Sequence, residues 1–371
     1  MQHENIKNIF FFIGTEAELI KVFPVIMECQ KKNAKCHIIS SGQNDLKKSR
    51  ILNFIQLSGK FIELSKEEDI KKSAIGLLSW FVKTKVKAVD IILKYFSKDE
   101  LTNKPLVVHG DTVSTLMGAL IGKRLNMQVY HVEAGLRSHN LFNPFPEEID
   151  RMLTSKMAGI HFAPGLEPVN NLKNVKGQIV NTEYNTILDS LRVSQSMSII
   201  TEGLEEILDK DYFVFVMHRQ ENLMNKEFVK QVVVEITKQA QDRKCVLILH
   251  KITENTFDEL GILDLLKKNP NFILLPRVDY FDFMKLLDNS KFVITDGGSN
   301  QEELYYMGKP CLIMRKATER KEGIGENAKL CVDGVNGIGM FCEEYEKYQI
   351  NSNKEKISPS KIISEMLLKH E

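Results

Sequence analysis

The sequence predicts an α/β protein built from two doubly wound domains whose sheets face each other across a cleft. Three observations carry that expectation. The 371-residue chain is too long for one typical domain and suits two. Short, continuously apolar runs bounded by turn residues recur in both halves, and amphipathic helical stretches separate them. Strands that are apolar throughout, rather than at alternate positions, imply sheets covered on both faces, which is the habit of parallel sheets.

In the first half the strands are "NIFFFIG", "CHIIS", "PLVVHG", "QVYHVEAG" and "GIHFAPG", and the helical stretches between them include residues 16–31 and 75–96. The second half repeats the plan with "YFVFVMH", "CVLILH", "FILLP", "FVITDGG" and "PCLIM". Residues 176–210 are less regular and read as the connection, giving a first domain over 1–175 and a second over 176–350. The remaining segment, 351–371, contains "SPSKIISEMLLKHE". Ser358 or Ser360 can cap a helix there, and Ile362, Ile363, Met366 and Leu367 share one face, which is expected to pack back on the first domain.

Parallel sheets bind ligands beyond the carboxyl ends of their strands, so chemical residues belong just after the strands. Asp111 follows "LVVHG", Glu133 ends "QVYHV", His218 follows "YFVFVM", and Asp296 follows "KFVIT".

Composition narrows the function further. Fifty basic and 49 acidic side chains leave a net charge of +1, so no global field attracts nucleic acid or anionic lipid, and an anionic ligand needs a local arrangement. Six cysteines form no CxxC pair and sit beside apolar runs, as buried thiols of a reducing compartment do. With no signal-peptide pattern and no apolar run near the ~20 residues of a membrane span, the expected location is the cytoplasm.

"TDGGSNQEEL" (295–304) sets Gly297, Gly298 and Ser299 between a strand and a helix expected to begin near Asn300 or Gln301. Backbone N–H groups and the dipole at such a helix start suit a diphosphate. Taken alone, the segment reads equally well as a tight turn. Glu303, early in that helix, can accept from ribose hydroxyls. In "VMHRQEN" His218 and Arg219 stand at a strand mouth, where an imidazole can contact phosphate or protonate a leaving oxygen. "GTEAELIK" offers one glycine where a dinucleotide fingerprint needs three, so no nicotinamide cofactor is expected. His131 and Glu133 form an HxE pattern without the PCxxC that zinc deaminases add, so no metal is expected either.

"HVEAGLRSHNLFNPFPEEIDR" (131–151) gathers four acidic side chains, two arginines and two histidines around a turn-rich centre at 140–146. Together with "HGDT" (109–112), "HRQEN" (218–222), "TDGGSNQEE" (295–303) and "GKPCLIMRKATERKE" (308–322), its "HVEAGLR" and "PEEIDR" resemble, in order, the motifs of the UDP-N-acetylglucosamine 2-epimerase family. The resemblance runs from about residue 6 to about residue 337. It implies two Rossmann-like domains in a GT-B-like arrangement, usually dimeric, with no cofactor. The implied activity is interconversion of UDP-N-acetylglucosamine and UDP-N-acetylmannosamine or close analogues.

Carried over by position, the essential carboxylates fall on Asp111, Glu133 and Glu147, with Arg151 close to them, and the leaving-group histidine on His218. Substrate contacts fall on Lys21, Gln43, Arg219, Gly297, Gly298, Ser299, Glu303 and Arg320, with Phe283 near uracil. Glu147 and Arg151, four residues apart, are expected on one helix face, with Glu148 turned away to favour the helix dipole.

Four positions depart from the family pattern. Glu16 replaces the arginine of GTRPEAIK, Asn44 the histidine of TGQH, and Gly297 the serine of TDSGG. "LPRVDY" replaces DPLDY and introduces Arg277, a candidate to substitute for the missing arginine.

The chemistry needs these residue types. The C2 hydrogen of an N-acetylhexosamine is not beside a carbonyl, but breaking the bond from C1 to UDP builds positive charge at C1 and makes that hydrogen removable. Elimination to a 2-acetamidoglycal and re-addition of UDP invert C2. The route requires donors for the departing diphosphate and carboxylates near C1 and C2. A hydrolysing relative, a GT-B glycosyltransferase and a nucleotide-sugar binder without turnover are the alternatives.

Overall fold

The computed structural model describes residues 6–70, 73–139, 146–316, 318, 320–352 and 356–369. The chain divides into two compact units, residues 1–190 with 356–371 and residues 191–355. The boundary expected at 175/176 thus moves about one helix and one strand later. The reason is a strand whose pairing partner lies in the first sheet.

The first unit holds seven parallel strands: β1 (Asn8–Ile13), β2 (Lys35–Ser40), β3 (Phe61–Glu63), β4 (Pro105–His109), β5 (Gln128–Val132), β6 (Ile160–Ala163) and β7 (Gln178–Asn181). Their order is β3-β2-β1-β4-β5-β6-β7. β7 pairs with β6 through Ile160 and Gln178 to Ala163 and Asn181, which ties it to this unit. Phe10, Phe11 and Phe12 are all buried, so consecutive residues of β1 meet cover on both faces. One core joins Phe10 and Phe12 to Leu106, Val108, Met117 and Val129.

The second unit has six parallel strands: β8 (Tyr212–Val216), β9 (Lys244–Leu249), β10 (Phe272–Pro276), β11 (Val293–Thr295), β12 (Cys311–Ile313) and β13 (Ala328–Leu330). Their order is β10-β9-β8-β11-β12-β13. Phe213, Phe215, Leu247, Phe292, Ile294 and Phe341 centre its core. In both units the winding direction reverses beside the first strand, between β1 and β4 and between β8 and β11. That switch point opens a crevice at the strand ends, where doubly wound sheets place ligands.

Every strand expected from the sequence is present. β3, β7 and β13 were not expected: each has three or four residues, only partly buried, at or next to a sheet edge. Residues 176–210, expected to be irregular, contain β7 and two helices, Ile187–Gln195 and Leu204–Leu208.

The helix Pro359–Lys369 packs against the helix Glu16–Lys31 of the first unit. It buries Ile363 and Leu367, and Asp189 Oδ2 accepts from Ser360 N at 2.8 Å and Ser358 Oγ at 2.9 Å. All six cysteines are free and buried. Among the described residues no helix is long and apolar enough to cross a membrane.

Candidate active site

At the mouth of β1, Gly14 leads into the helix Glu16–Lys31, capped by Thr15, whose Oγ1 accepts from Glu18 N at 3.2 Å. Glu18 Oε2 accepts in return from Gly14 N at 2.6 Å and Thr15 N at 3.3 Å. Its other oxygen accepts from Thr112 Oγ1, beside Asp111. The amides of Gly14 and Thr15, just ahead of this helix, are therefore taken up by the chain's own carboxyl. Burial, against these hydrogen bonds, raises the Glu18 pKa to about 7. Gly14 is required by close approach: a Cβ there would lie 2.1 Å from Ser114 Oγ. Gln43, expected at the substrate, accepts from Ser114 Oγ at 2.6 Å and so ties the loop after β2 to the start of the helix after β4.

Asp111, after β4, forms an ion pair with Arg151. Glu133, after β5, is buried and has φ 61°, a left-handed conformation that a non-glycine residue rarely adopts. Its Oε2 accepts from Lys21 Nζ and Asn185 Nδ2, and His109 Nε2 lies 3.6 Å away. Lys21, expected at the nucleotide, thus pairs with a carboxylate in this state. Asn185 was not expected, because "EYNT" carries no recognisable pattern.

Glu147 opens the helix Glu147–Met157, and its Oε2 is buried without a hydrogen-bond partner among the described residues. Arg151, besides its pair with Asp111, reaches Glu148 at 3.3 Å, three residues back. One expectation about this helix is corrected. Glu148 is buried, accepting from Ser138 N at 3.1 Å and Ser138 Oγ at 3.2 Å, so it anchors the preceding loop rather than merely favouring the dipole. The turn expected at 140–146 lies, apart from Pro146, outside the described residues. Asp150, not singled out from the sequence, is also buried. His131 binds Gly110 O at 2.7 Å, and burial lowers its pKa to about 4, so it is neutral and structural. No group of side chains suited to a metal ion occurs among the described residues.

In the second unit Asp296, at the end of β11, organises the mouth of β8. It accepts from His218 N at 3.0 Å, Arg219 N at 2.9 Å and Asn222 Nδ2 at 3.1 Å, and His218 Nδ1 lies 3.1 Å from Oδ1. Burial opposes this charge, but the His218 ring and these amides win and hold the carboxyl below its usual range. With Nδ1 turned to Asp296, Nε2 is the ring nitrogen left for a ligand. His250 stacks on His218 at 4.7 Å; burial, then the nearby His218 and Arg277 charges, lower its pKa to about 4.

The helix Gly298–Met307 begins two residues earlier than expected, with Gly297 as its N-cap and no side-chain cap. Gly298 and Ser299 therefore occupy its first turn, with Ser299 exposed. Glu303 is buried and accepts from Asn300 Nδ2 at 3.1 Å, and Arg320 pairs with buried Glu302. Arg219 reaches Glu221 at 2.8 Å, and Phe283 is half-buried on the helix Tyr280–Asn289.

A family model described as UDP-N-acetylglucosamine 2-epimerase matches residues 27–345. The chain belongs to the UDP-N-acetylglucosamine 2-epimerase family. It is 31% identical over 331 residues to the UDP-N-acetylglucosamine 2-epimerase of Methanocaldococcus jannaschii, covering 86% of this chain and 87% of that protein. The crystal structure of UDP-GlcNAc 2-epimerase from Neisseria meningitidis bound to UDP-GlcNAc matches with a TM-score of 0.79 at 29% identity, over 98% of this chain and 100% of that one. The Methanocaldococcus jannaschii enzyme in complex with UDP-GlcNAc and UDP matches with a TM-score of 0.76 at 26% identity, over 98% and 99%. The fold is thus the GT-B-like one of this epimerase family, and the chain's role is that of an isomerase.

The departures from the family pattern have local accounts. Asn44 Oδ1 accepts from Glu16 N at 3.1 Å and Asn44 N donates to Gly14 O at 2.8 Å, so this asparagine braces the turn after β1. At Gly297 a Cβ would lie 2.8 Å from Asn300 Oδ1 and 3.0 Å from His218 Cε1, so the usual serine would require the Asn300 side chain to shift. Arg277, after β10, is exposed and close enough to the histidine stack to bias it.

Proposed function

We propose that the protein is a cofactor-independent 2-epimerase that inverts C2 of a UDP-N-acetylhexosamine by eliminating and re-adding UDP. The observation that carries this reading is the set of carboxyls at the strand ends of the first unit. Asp111 and Glu133 are each paired with a cation, and Glu147 has a buried oxygen without a donor. Such a set places carboxyl groups for proton transfer at the strand ends.

The second unit takes the nucleotide. First-turn amides of the helix Gly298–Met307, with Ser299, Arg219 and Arg320, meet the diphosphate; Glu303 meets ribose hydroxyls and Phe283 the uracil. His218, oriented by Asp296, protonates the β-phosphate oxygen as its bond to C1 breaks. The electron pair leaves with UDP, and C1 becomes cationic. A carboxylate among Asp111, Glu133 and Glu147 then removes the C2 proton, whose bonding pair forms the C1–C2 double bond of the glycal. Re-addition of UDP at C1, with a proton delivered to the opposite face of C2, completes the inversion. Lys21 and Arg151 hold two of the carboxyls in place by ion pairs while charge moves. The exposed Ile75, Leu78, Val82 and Val86 form an apolar stripe on the helix Ala74–Ile92 and support a homodimer.

The test is incubation with a panel of UDP-N-acetylhexosamines, with NMR reading the C2 configuration and chromatography reading free UDP. Two interconverting UDP-sugars with only traces of UDP are expected. UDP released in proportion to substrate consumed means hydrolysis instead, and tight UDP binding without conversion means a binder.

A further inference from the structure

Arg320 belongs to the loop between β12 and β13, residues 314–327, which forms neither a helix nor a strand among its described residues. The far end of this loop is tied down near β13, where Ala328 N donates to Gly323 O at 2.8 Å and Asn327 Nδ2 to Lys309 O at 2.7 Å. The stretch around Arg320 is held by a side chain instead. Gln301, on the helix Gly298–Met307, is fully buried. Its Nε2 donates to Arg320 O at 3.1 Å and to Glu322 O at 2.8 Å, and its Oε1 accepts from Thr318 Oγ1 at 3.0 Å. Thr318 Oγ1 in turn accepts from Arg320 N at 3.3 Å.

A primary amide carries two donors and an acceptor in one plane, which is the set that two carbonyls and a hydroxyl require. Without that amide the three groups lose a buried partner, and the loop recovers hydrogen bonds by moving toward water. Glu302, the next residue, pairs with the Arg320 guanidinium and accepts from the Tyr306 hydroxyl at 3.4 Å. Gln301 thus holds the backbone of Arg320, and Glu302 holds its side chain. The helix that presents the Gly298 and Ser299 amides at its start also carries both of these anchors.

We propose that Gln301 is a positioning residue for the diphosphate: it fixes Arg320 relative to the start of the helix Gly298–Met307, so that guanidinium and backbone amides act as one anion site. The inference rests on the proposed placing of the diphosphate at these groups. Loss of Gln301 displaces the cation and removes a charge-assisted bond to phosphate, while contacts to the base and ribose stay.

Calorimetry with UDP and NMR titration with uridine, both on the full-length protein, test it. Gln301→Met is similar in length but makes no such hydrogen bonds. It should weaken UDP about tenfold or more and uridine less than about twofold. Equal weakening of both ligands, as a merely structural role would give, or unchanged UDP affinity overturns the proposal. In a double-mutant cycle, adding Gln301→Met to Arg320→Met should cost less than about twofold further, because the cation to be positioned is already gone; additive losses overturn the proposal as well. Unfolding curves show whether Gln301→Met folds. If it does not, Thr318→Val, which removes only the hydroxyl bonded to Gln301, takes its place in the same comparison, with a smaller loss confined to UDP expected and no such loss overturning the proposal. Arg320→Met that binds UDP as tightly as the wild type defeats the nucleotide assignment and this inference together. A weakened Arg320→Met beside an unaffected Gln301→Met defeats this inference alone.

Discussion

Lys21 and Glu133, 112 residues apart, form a buried ion pair at the strand ends of the first unit, with side chains 8% and 6% exposed. The helix after β1 supplies the ammonium, and the strained turn after β5 supplies the carboxylate. Removing one partner from such a pair leaves an uncompensated buried charge, whereas removing both costs far less. Lys21→Met should lower unfolding free energy by about 3 kcal/mol in urea titrations. Lys21→Met combined with Glu133→Gln should recover most of that stability and none of the activity. Equal losses in the single and double variants would show that the pair has no mutual stabilisation.

Asp111→Asn, Glu133→Gln and Glu147→Gln keep shape while removing a proton-transfer group. Each is expected to lower kcat by about 10²- to 10⁴-fold, the usual contribution of a positioned acid or base. If the second-unit residues carry most of the nucleotide binding, as proposed, calorimetric binding of UDP should change little. Full activity in all three would remove these carboxylates from the mechanism.

Glu18 gives a pH dependence of stability. Its folded pKa is raised, from 4.5 to about 7, so the unfolded state ionises first. Stability is therefore greatest below the unfolded value and declines as pH rises toward the folded value, by about 3 kcal/mol in all for this group. Glu18→Gln, which can still accept from Gly14 N and meet Thr112 Oγ1, should lose that share of the decline. Denaturant midpoints measured across the range for both proteins check it, and identical pH profiles would mean that Glu18 stays ionised.

Gly297→Ser restores the serine usual in the family but brings Cβ within 2.8 Å of Asn300 Oδ1 and 3.0 Å of His218 Cε1. Its φ of −83° suits any residue, so the expected effect is on the site rather than the fold. A displaced His218 should reduce kcat about tenfold or more, as a misplaced proton donor does. Adding Asn300→Ala should recover part of the loss. Unchanged turnover in Gly297→Ser would show that His218 accommodates the side chain.

The sequence carried the fold wherever burial was two-sided. Runs such as "NIFFFIG" and "YFVFVMH" show their strands because every residue meets cover, whereas β3, β7 and β13 are short, partly exposed strands without such a run. Motifs after strands located Asp111, Glu133, His218 and Asp296, since a doubly wound sheet puts chemistry at its carboxyl rim. Pairings were less legible. Whether Arg151 meets Glu147 or Glu148 depends on a helix start and on where Asp111 lies, neither of which residue spacing determines. Asn185 and Gln301 were missed for a related reason: each matters through burial against distant segments, a property that local pattern does not record.

The central claim is that C2 loses its hydrogen to a protein carboxylate after UDP departs. Epimerisation run in D2O, with both UDP-sugars recovered and examined by NMR and mass spectrometry, tests it most directly. Deuterium at C2 of the inverted sugar, one atom per molecule and none at C3, is the expected result. Inverted sugar that keeps its original protium at C2 would contradict the account.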